Sequence, residues 1–344
     1  MCTSIVVNKK KTIAGFNLDI LDMVWRVRND DGQGVYIEID DAKEGWMPLF
    51  GCNCRGDFVS MPTCWPFDPR SNPAADEVNI INLDIDLLLQ KRTLAEIRKH
   101  VENNPVCSVP GLTFMGALSD SEGNVLHIIP GQGFIYYQKP EYKILTNFSP
   151  FKKETEMHPW MGLDRYEKAE EMLKDAKDDF DVKDCFEVLK AVSQEACPTV
   201  VSMVYDIETR TAYWCEERNY EQINKVMLKK DYRNIGYCGL DCFKCDAYIS
   251  IKNNDQKLKE KTAELWSKLN QTKILPEQID CEGCRFDGTK TLFCDQLCQI
   301  RKCAASKKID TCADCAMMKN CDTLSMIVSN NPDAKKNLEE LSNR

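Results

Sequence analysis

The chain has 344 residues, 43% of them hydrophobic and 29% charged, and a formal net charge of −9. That length is enough for two domains, each with its own core. No apolar run reaches the roughly 18 residues of a membrane span, and no basic face is available for a phosphate backbone; membrane and nucleic acid are therefore set aside as partners, and a cytoplasmic location is expected.

The first 235 residues hold 28 Lys+Arg against 38 Asp+Glu, and the remainder 17 against 16. Eight cysteines are scattered through the first part, while eleven crowd between Cys238 and Cys321. Composition thus divides the chain near residue 235, and the domains are expected at 1–228 and 236–344.

Short apolar and β-branched runs predict strands at Ser4–Val7, Thr12–Phe16, Val24–Val27, Val35–Ile39, Val78–Leu83, Phe114–Leu118, Val125–Ile129, Phe134–Tyr137 and Ile144–Thr146. Helical spacing is expected over Asp86–Val101, and again from Asp164 to about Ala196 as two helices broken near Asp178–Asp184. Strands at Val200–Tyr205 and Thr211–Trp214 follow as a hairpin, and Glu221–Asn234 reads as a polar connection. Strands, then paired helices, then strands predict an α+β fold with helices on a mostly antiparallel layered sheet. Beyond the connection, helices are expected at Asp255–Leu269 and Asp333–Leu341.

The chain opens Met1-Cys2-Thr3. If Met1 is trimmed, Cys2 carries a nucleophilic sulfur and a free α-amine, whose ordinary pKa of about 8 suits it to accept the thiol proton. The competing expectation is a small residue opening an edge strand. The other cysteines of this part, among them the Cys52-x-Cys54 pair, suit a core, and His100, His127 and His158 are isolated enough to be structural.

Further residues favour chemistry. Gly15-Phe16-Asn17-Leu18-Asp19, fifteen or so residues after Cys2, together with Thr146-Asn147-Phe148-Ser149-Pro150 and Asp164-Arg165-Tyr166, resemble the motifs of the choloylglycine hydrolase and penicillin V acylase family. These are N-terminal-nucleophile hydrolases that cleave linear C–N amides. The resemblance is spread over roughly residues 1–220 and implies an αββα sandwich with Cys2 as nucleophile. It also implies that Asp19 contacts the nucleophile and its amine, that Asn147 donates to the oxyanion and that Arg165 supports the nucleophile's surroundings. The nearest match to the family's main-chain oxyanion donor is Cys64-Trp65-Pro66. One departure stands out, because Phe16 occupies the place of an arginine beside the thiol; Arg26 and Arg165 are the candidates to replace that cation.

In the last third, Cys238-x3-Cys242-x2-Cys245, Cys281-x2-Cys284, Cys294-x3-Cys298-x4-Cys303 and Cys312-x2-Cys315-x5-Cys321 have the spacing of metal thiolates. No histidine lies beyond His158, so all-sulfur sites are implied. Eleven thiolates fill two four-cysteine sites with three left over, and spacing leaves the pairing open. Structural zinc is the expected cofactor, with an iron–sulfur cluster as the alternative. Residues 236–344 are similar to a family of small bacterial and archaeal cysteine-rich domains of unknown function.

Two functions follow as expectations. The first is a cysteine amidase, with an acyltransferase variant, acting on a small-molecule amide through a thioester. The second is a retired hydrolase scaffold that binds a partner or senses redox state through its metal-thiolate part. A second copy of the chain, and a protein docking on the cysteine-rich domain, are the further partners considered.

Overall fold

In a computed structural model the chain divides into two compact units, Met1–Lys230 and Asp231–Arg344. The structure describes all residues except 75–76, 152–158, 230, 287 and 343–344; His158 lies outside the described residues.

The first unit begins with strands β1 (Cys2–Asn8), β2 (Thr12–Asp19), β3 (Trp25–Asn29), β4 (Gly34–Asp41), β5 (Gly45–Asn53), β6 (Phe58–Ser60), β7 (Thr63–Cys64) and β8 (Val78–Asn79). Helices α1 (Ile80–Leu88) and α2 (Leu94–Val101) come next. They are followed by β9 (Val106–Cys107), β10 (Thr113–Phe114), β11 (Gly116–Ser119), β12 (Val125–Ile129), β13 (Gly133–Tyr137) and β14 (Tyr142–Leu145). Helices α3 (Leu163–Lys174) and α4 (Val182–Ala191) precede β15 (Thr199–Asp206), β16 (Thr211–Glu216) and β17 (Asn224–Met227).

Two large antiparallel sheets result, ordered β14-β1-β2-β15-β16-β17 and β13-β12-β11-β6-β5-β4-β3, beside two two-stranded ones, β7-β10 and the parallel β8-β9. Strand alternation gives each large sheet two apolar faces. Phe16, Leu18, Met203 and Tyr205 of the first sheet meet Ile37, Phe50, Phe58 and Val125 of the second in a central layer. On the far side of the first sheet, Ile5, Val7, Ile13 and Val204 are covered by Leu173, Phe186 and Leu189 of α3 and α4. On the far side of the second, Tyr36, Leu118, Leu126 and Ile128 are covered by Leu83, Leu87 and Ile97 of α1 and α2. The order of layers is α, β, β, α. At Gly15, an added Cβ would stand 2.7 Å from the Cys185 sulfur, so glycine there lets α4 close onto β2.

Three expectations are corrected. Val78–Leu83 is strand only at Val78–Asn79; from Ile80 the run is helical, because Ile80, Leu83, Leu87 and Leu88 are buried on one helical face and the Asn79 side chain caps the first turn by accepting from the Ile81 N–H. The polar connection Glu221–Asn234 contains β17, which pairs with β16. No strand was expected at Gly45–Asn53, whose Pro48 sits where the β4–β5 register shifts and so disturbs the ladder little.

The second unit has five helices among its described residues, α5 (Asp246–Lys252), α6 (Gln256–Asn270), α7 (Gln299–Lys307), α8 (Asp322–Val328) and α9 (Pro332–Ser342), with short turns between them. Its apolar clusters are small: Ala247, Ala263, Ile279 and Cys281 in one, and Ile300, Leu324 and Leu338 in the other. Among the described residues no helix is long and apolar enough to cross a membrane.

Candidate active site

Cys2 opens β1, whose partners are β2 on one side and β14 on the other, with Cys2 opposite Leu18 and Ser4 opposite Leu145. The same pairing carries Asp19 to the end of β2 and Asn147 just past the end of β14, so both arrive beside the start of the chain. Alternation turns the Cys2 side chain toward the layer between the sheets and Thr3 toward the helices. From that side α3 supplies Arg165.

Arg165 ties the group together. Its Nη1 donates to the Cys2 carbonyl at 2.7 Å and to Thr3 Oγ1 at 2.8 Å, and its Nη2 donates to Asn147 Oδ1 at 2.8 Å. Asn147 Oδ1 also accepts the Cys2 N–H at 2.9 Å, while its Nδ2 donates to the Thr63 carbonyl at 2.6 Å. The guanidinium is 3.8 Å from Asp19 Oδ2. Cys2, Asp19, Asn147 and Arg165 are thus brought into one network. Arg26, the other cation considered, pairs instead with Glu38 and lies over the Trp46 ring. Phe16 packs against Phe50 and Phe58 in the central layer, where no ionised arginine could find a partner.

Asp19 differs in detail from the expectation. Its backbone carbonyl, not its carboxylate, accepts from the Met1 ammonium. The carboxylate is wholly buried and accepts from Thr199 Oγ1 at 2.6 Å and from Gln194 Nε2. Burial raises its pKa, and the Thr199 hydroxyl, Arg165 and Gln194 oppose that. Thr199 faces Asp19 across the β2–β15 ladder, a register that sequence does not display. Neither Thr199 nor Gln194 belongs to any motif, so sequence reading missed both. Cys197, on the same loop, has its sulfur 3.8 Å from the Met1 nitrogen.

The Cys2 side chain is only 3% exposed while Met1 precedes it. Burial raises the thiol pKa; the adjacent ammonium and Arg165 pull it down, and Asp19 pushes it further up. Burial also works against the Met1 ammonium, but the Cys2 and Cys197 thiols and Asp19 outweigh it, so that pKa rises too.

At Cys64-Trp65-Pro66, the nearest match to the main-chain oxyanion donor, one N–H is already engaged. The Trp65 N–H is already given to the Asn147 carbonyl at 2.6 Å, which leaves it no proton for an oxyanion. Asn147 Nδ2 carries two protons and spends one on Thr63, so it retains a second.

The glycine before α3 is part of this geometry. Gly162 has a φ of 88°, and an added Cβ would stand 2.4 Å from Arg165 Nη2 and 3.1 Å from Thr146 Cβ. Only glycine lets the guanidinium lie back across the turn.

In the second unit the sulfurs lie near one another, with Cys238 close to Cys284 and Cys298 as well as to Cys312. Cys242 is pushed up to about 12 by burial and by Cys284, Cys281 and Cys245. Cys312 is pushed up to about 12 by burial and then by Cys238, Cys321, Cys315 and Cys303. Backbone N–H groups of Tyr237, Gly283 and Arg301 point at the sulfurs of Cys284, Cys281 and Cys298, each at 3.4 Å. Cys294 lies near Cys284, Cys281 and Cys298. Among the described residues, however, no three His, Cys, Asp or Glu side chains are gathered so as to hold a metal ion.

The model of a family described as "Protein of unknown function (DUF3795)" matches residues 234–326. No curated protein matches the chain. Among solved structures, the chain is similar to a mutant of the conjugated bile acid hydrolase from Clostridium perfringens, at 15% identity over 66% of this chain and 92% of that one, with a TM-score of 0.47. It is also similar to penicillin V acylase from Agrobacterium tumefaciens, at 14% identity over 67% and 92% of the two chains, with a TM-score of 0.45. Likeness at this level says nothing about activity.

Proposed function

We propose that the first unit hydrolyses a linear, non-peptide amide of a small-molecule substrate, with Cys2 as the nucleophile once Met1 has been removed. The observation that carries this reading is the convergence of two residues distant in sequence, Asn147 and Arg165, on the Cys2 backbone: the Cys2 nitrogen on Asn147 Oδ1 at 2.9 Å, and Arg165 holding both the Cys2 carbonyl and that same Oδ1. The expected edge strand is instead an interior one, paired on both sides, and a network that positions a peptide nitrogen and carbonyl so closely is unneeded for an ordinary strand that its ladders already hold. It is what an α-amine needs to serve as a base, since proton transfer depends on a fixed partner within hydrogen-bond reach.

Removal of Met1 turns the Cys2 nitrogen into an amine with Asn147 Oδ1 already placed as an acceptor. The amine takes the thiol proton and the sulfur attacks the amide carbonyl. The remaining Asn147 Nδ2 proton is the candidate donor to the oxyanion, a contribution of about 3 kcal/mol for one such fixed donor. The amine's proton passes to the leaving nitrogen as the C–N bond breaks, leaving a thioester on Cys2. Water, giving a proton to the amine, then cleaves the thioester to a carboxylic acid and restores the thiol. Asp19, held by Thr199 and Gln194, keeps Arg165 and the chain end in register.

For the second unit we propose zinc as a structural ion on thiols that, among the described residues, are not gathered as a ligand set in this structure, with the pairs Cys242/Cys245 and Cys281/Cys284 closing around it on binding. Support comes from the donor chemistry, all thiol and suited to zinc, from their shared neighbourhood, and from the N–H groups aimed at Cys281 and Cys284. The remaining cysteines, Cys238, Cys294, Cys298, Cys303, Cys312, Cys315 and Cys321, supply any second site. An iron–sulfur cluster is the alternative, distinguished by its visible absorption.

A retired scaffold is the second reading, favoured by the engaged Trp65 N–H and by Phe16. Intact mass of the purified protein, with release of amine from a panel of acyl amides, separates the two. Loss of Met1 and release of amine that Cys2→Ala abolishes are expected for the hydrolase; retained Met1 overturns it.

A further inference from the structure

Strands β13 and β14 are edge strands of different sheets, and together with α3 they border a cleft of about 710 Å³, the size of a small-molecule site. Neither Cys2, Asp19 nor Asn147 is among the described residues that line it. The cleft lies instead beside Thr146 and Tyr166, the chain neighbours of Asn147 and Arg165.

Its walls are aromatic. Phe148 and Tyr166 meet edge to face with ring centres 5.4 Å apart, and His127 and Tyr137 do the same at 5.4 Å. Between them lies one uncompensated charge. The Lys143 ammonium sits 4.3 Å from the centre of the Tyr137 ring, and no carboxylate among the described residues is within ion-pair distance of it. Of the acids around the cleft, Glu141 is paired with Lys9 and Glu170 with Lys174, while Glu167 is exposed to solvent. Two buried polar groups also line it. The Thr146 hydroxyl is in a residue 1% exposed and has no hydrogen-bond partner, a costly state for a buried polar atom. His127 is 3% exposed, and burial followed by Lys143 holds its pKa down to about 3, so its ring is a neutral donor.

We propose that this cleft binds an aromatic carboxylate, its ring between Tyr137, Phe148 and Tyr166 and its anion on the Lys143 ammonium, at a site separate from the nucleophile. The single ammonium matches a single negative charge. A dianion would meet Glu167 and Glu170, and a cation would meet Lys143.

Calorimetric titration of the full chain with benzoate, benzamide and benzylamine tests this. Benzoate is expected to bind at one site about tenfold tighter than benzamide, the value of one charge-assisted contact, with benzylamine weakest. Lys143→Gln should remove that tenfold advantage and leave benzamide unchanged. Should this variant not fold by circular dichroism, Lys143→Met, which keeps the stem without its charge, is expected to lose the same advantage. Cys2→Ala should bind benzoate as the parent does. Absence of saturable benzoate binding, equal or tighter binding of benzylamine, a Lys143→Gln variant as strong as the parent, or loss of binding in Cys2→Ala would each overturn the proposal.

Discussion

The two units are stabilised by different means. The sandwich buries three apolar layers, with residues such as Phe16, Tyr36, Phe58 and Tyr205 at 1% exposure or less. The cysteine-rich unit leaves Leu240, Phe243, Leu265, Leu269, Phe286, Leu292, Phe293, Leu297, Met317 and Met326 exposed, and its clusters hold few residues each. A chain segment with that little core needs another source of cohesion. The zinc proposed on its thiols would supply it, whereas the thiols of the sandwich, apart from Cys197, are buried like any other small apolar side chain.

The largest expected effect tests that contrast. Structural zinc in small cysteine-rich modules contributes about 10–16 kcal/mol. A strong chelator is therefore expected to abolish the thermal transition of the second unit while the transition of the sandwich stays in place, as read by calorimetry. Elemental analysis that finds neither zinc nor iron would defeat the contrast. Because the thiol of Cys242 is pushed up to about 12, metal must displace its proton, and affinity should fall as pH is lowered.

Cys2→Ala is next. It should reduce amide hydrolysis by about 10⁴-fold or more with both transitions unchanged, since alanine suits a strand end. Gly162→Ala should follow, lowering the rate by about 10- to 100-fold, because the new methyl displaces the Arg165 guanidinium. Its backbone cost at positive φ, about 1–2 kcal/mol, should appear in the sandwich transition only.

The smallest effect concerns Asp84 of α1, which is fully buried with no hydrogen-bond partner for either carboxylate oxygen. Burial raises its pKa well above the usual carboxylate range. The folded state therefore prefers the protonated form, and stability present below about pH 4 is lost as pH rises toward the folded-state pKa. Asp84→Asn should match the parent near pH 4 and raise the sandwich Tm near pH 7, by about 2–4 °C for each kcal/mol regained. Equal pH profiles for parent and variant would exclude this role for Asp84.

Much of the sandwich was legible because its strands are short apolar runs bounded by Gly, Asn and Asp. The helix at Ile80 was mistaken for a strand because Ile80-Ile81 is followed closely by Leu83, and only the longer spacing to Leu87 and Leu88 reveals a helical face. Strand β17 escaped because Asn224–Met227 is a short, half-exposed edge whose inward face offers only Asn224 and Val226, too few residues to display an alternation. At the site, Cys2, Asp19, Asn147 and Arg165 stood in recognisable motifs. Thr199 and Gln194 could not be read, since a threonine opposite an aspartate exists only once β2 and β15 are in register. Equally hidden was the engagement of Trp65, whose N–H belongs to a pairing between residues 82 positions apart.

The central claim is that a sulfur and a free amine share the chain end held by Arg165 and Asn147. Its most direct test is mass mapping of the purified protein after treatment with a cysteine-directed electrophile at near-stoichiometric dose. The account predicts an N-terminal peptide that begins at Cys2, carries the label on its sulfur, and is protected from labelling by an amide substrate. A peptide that still begins with Met1, or label distributed over the cysteines without preference for Cys2, would contradict it.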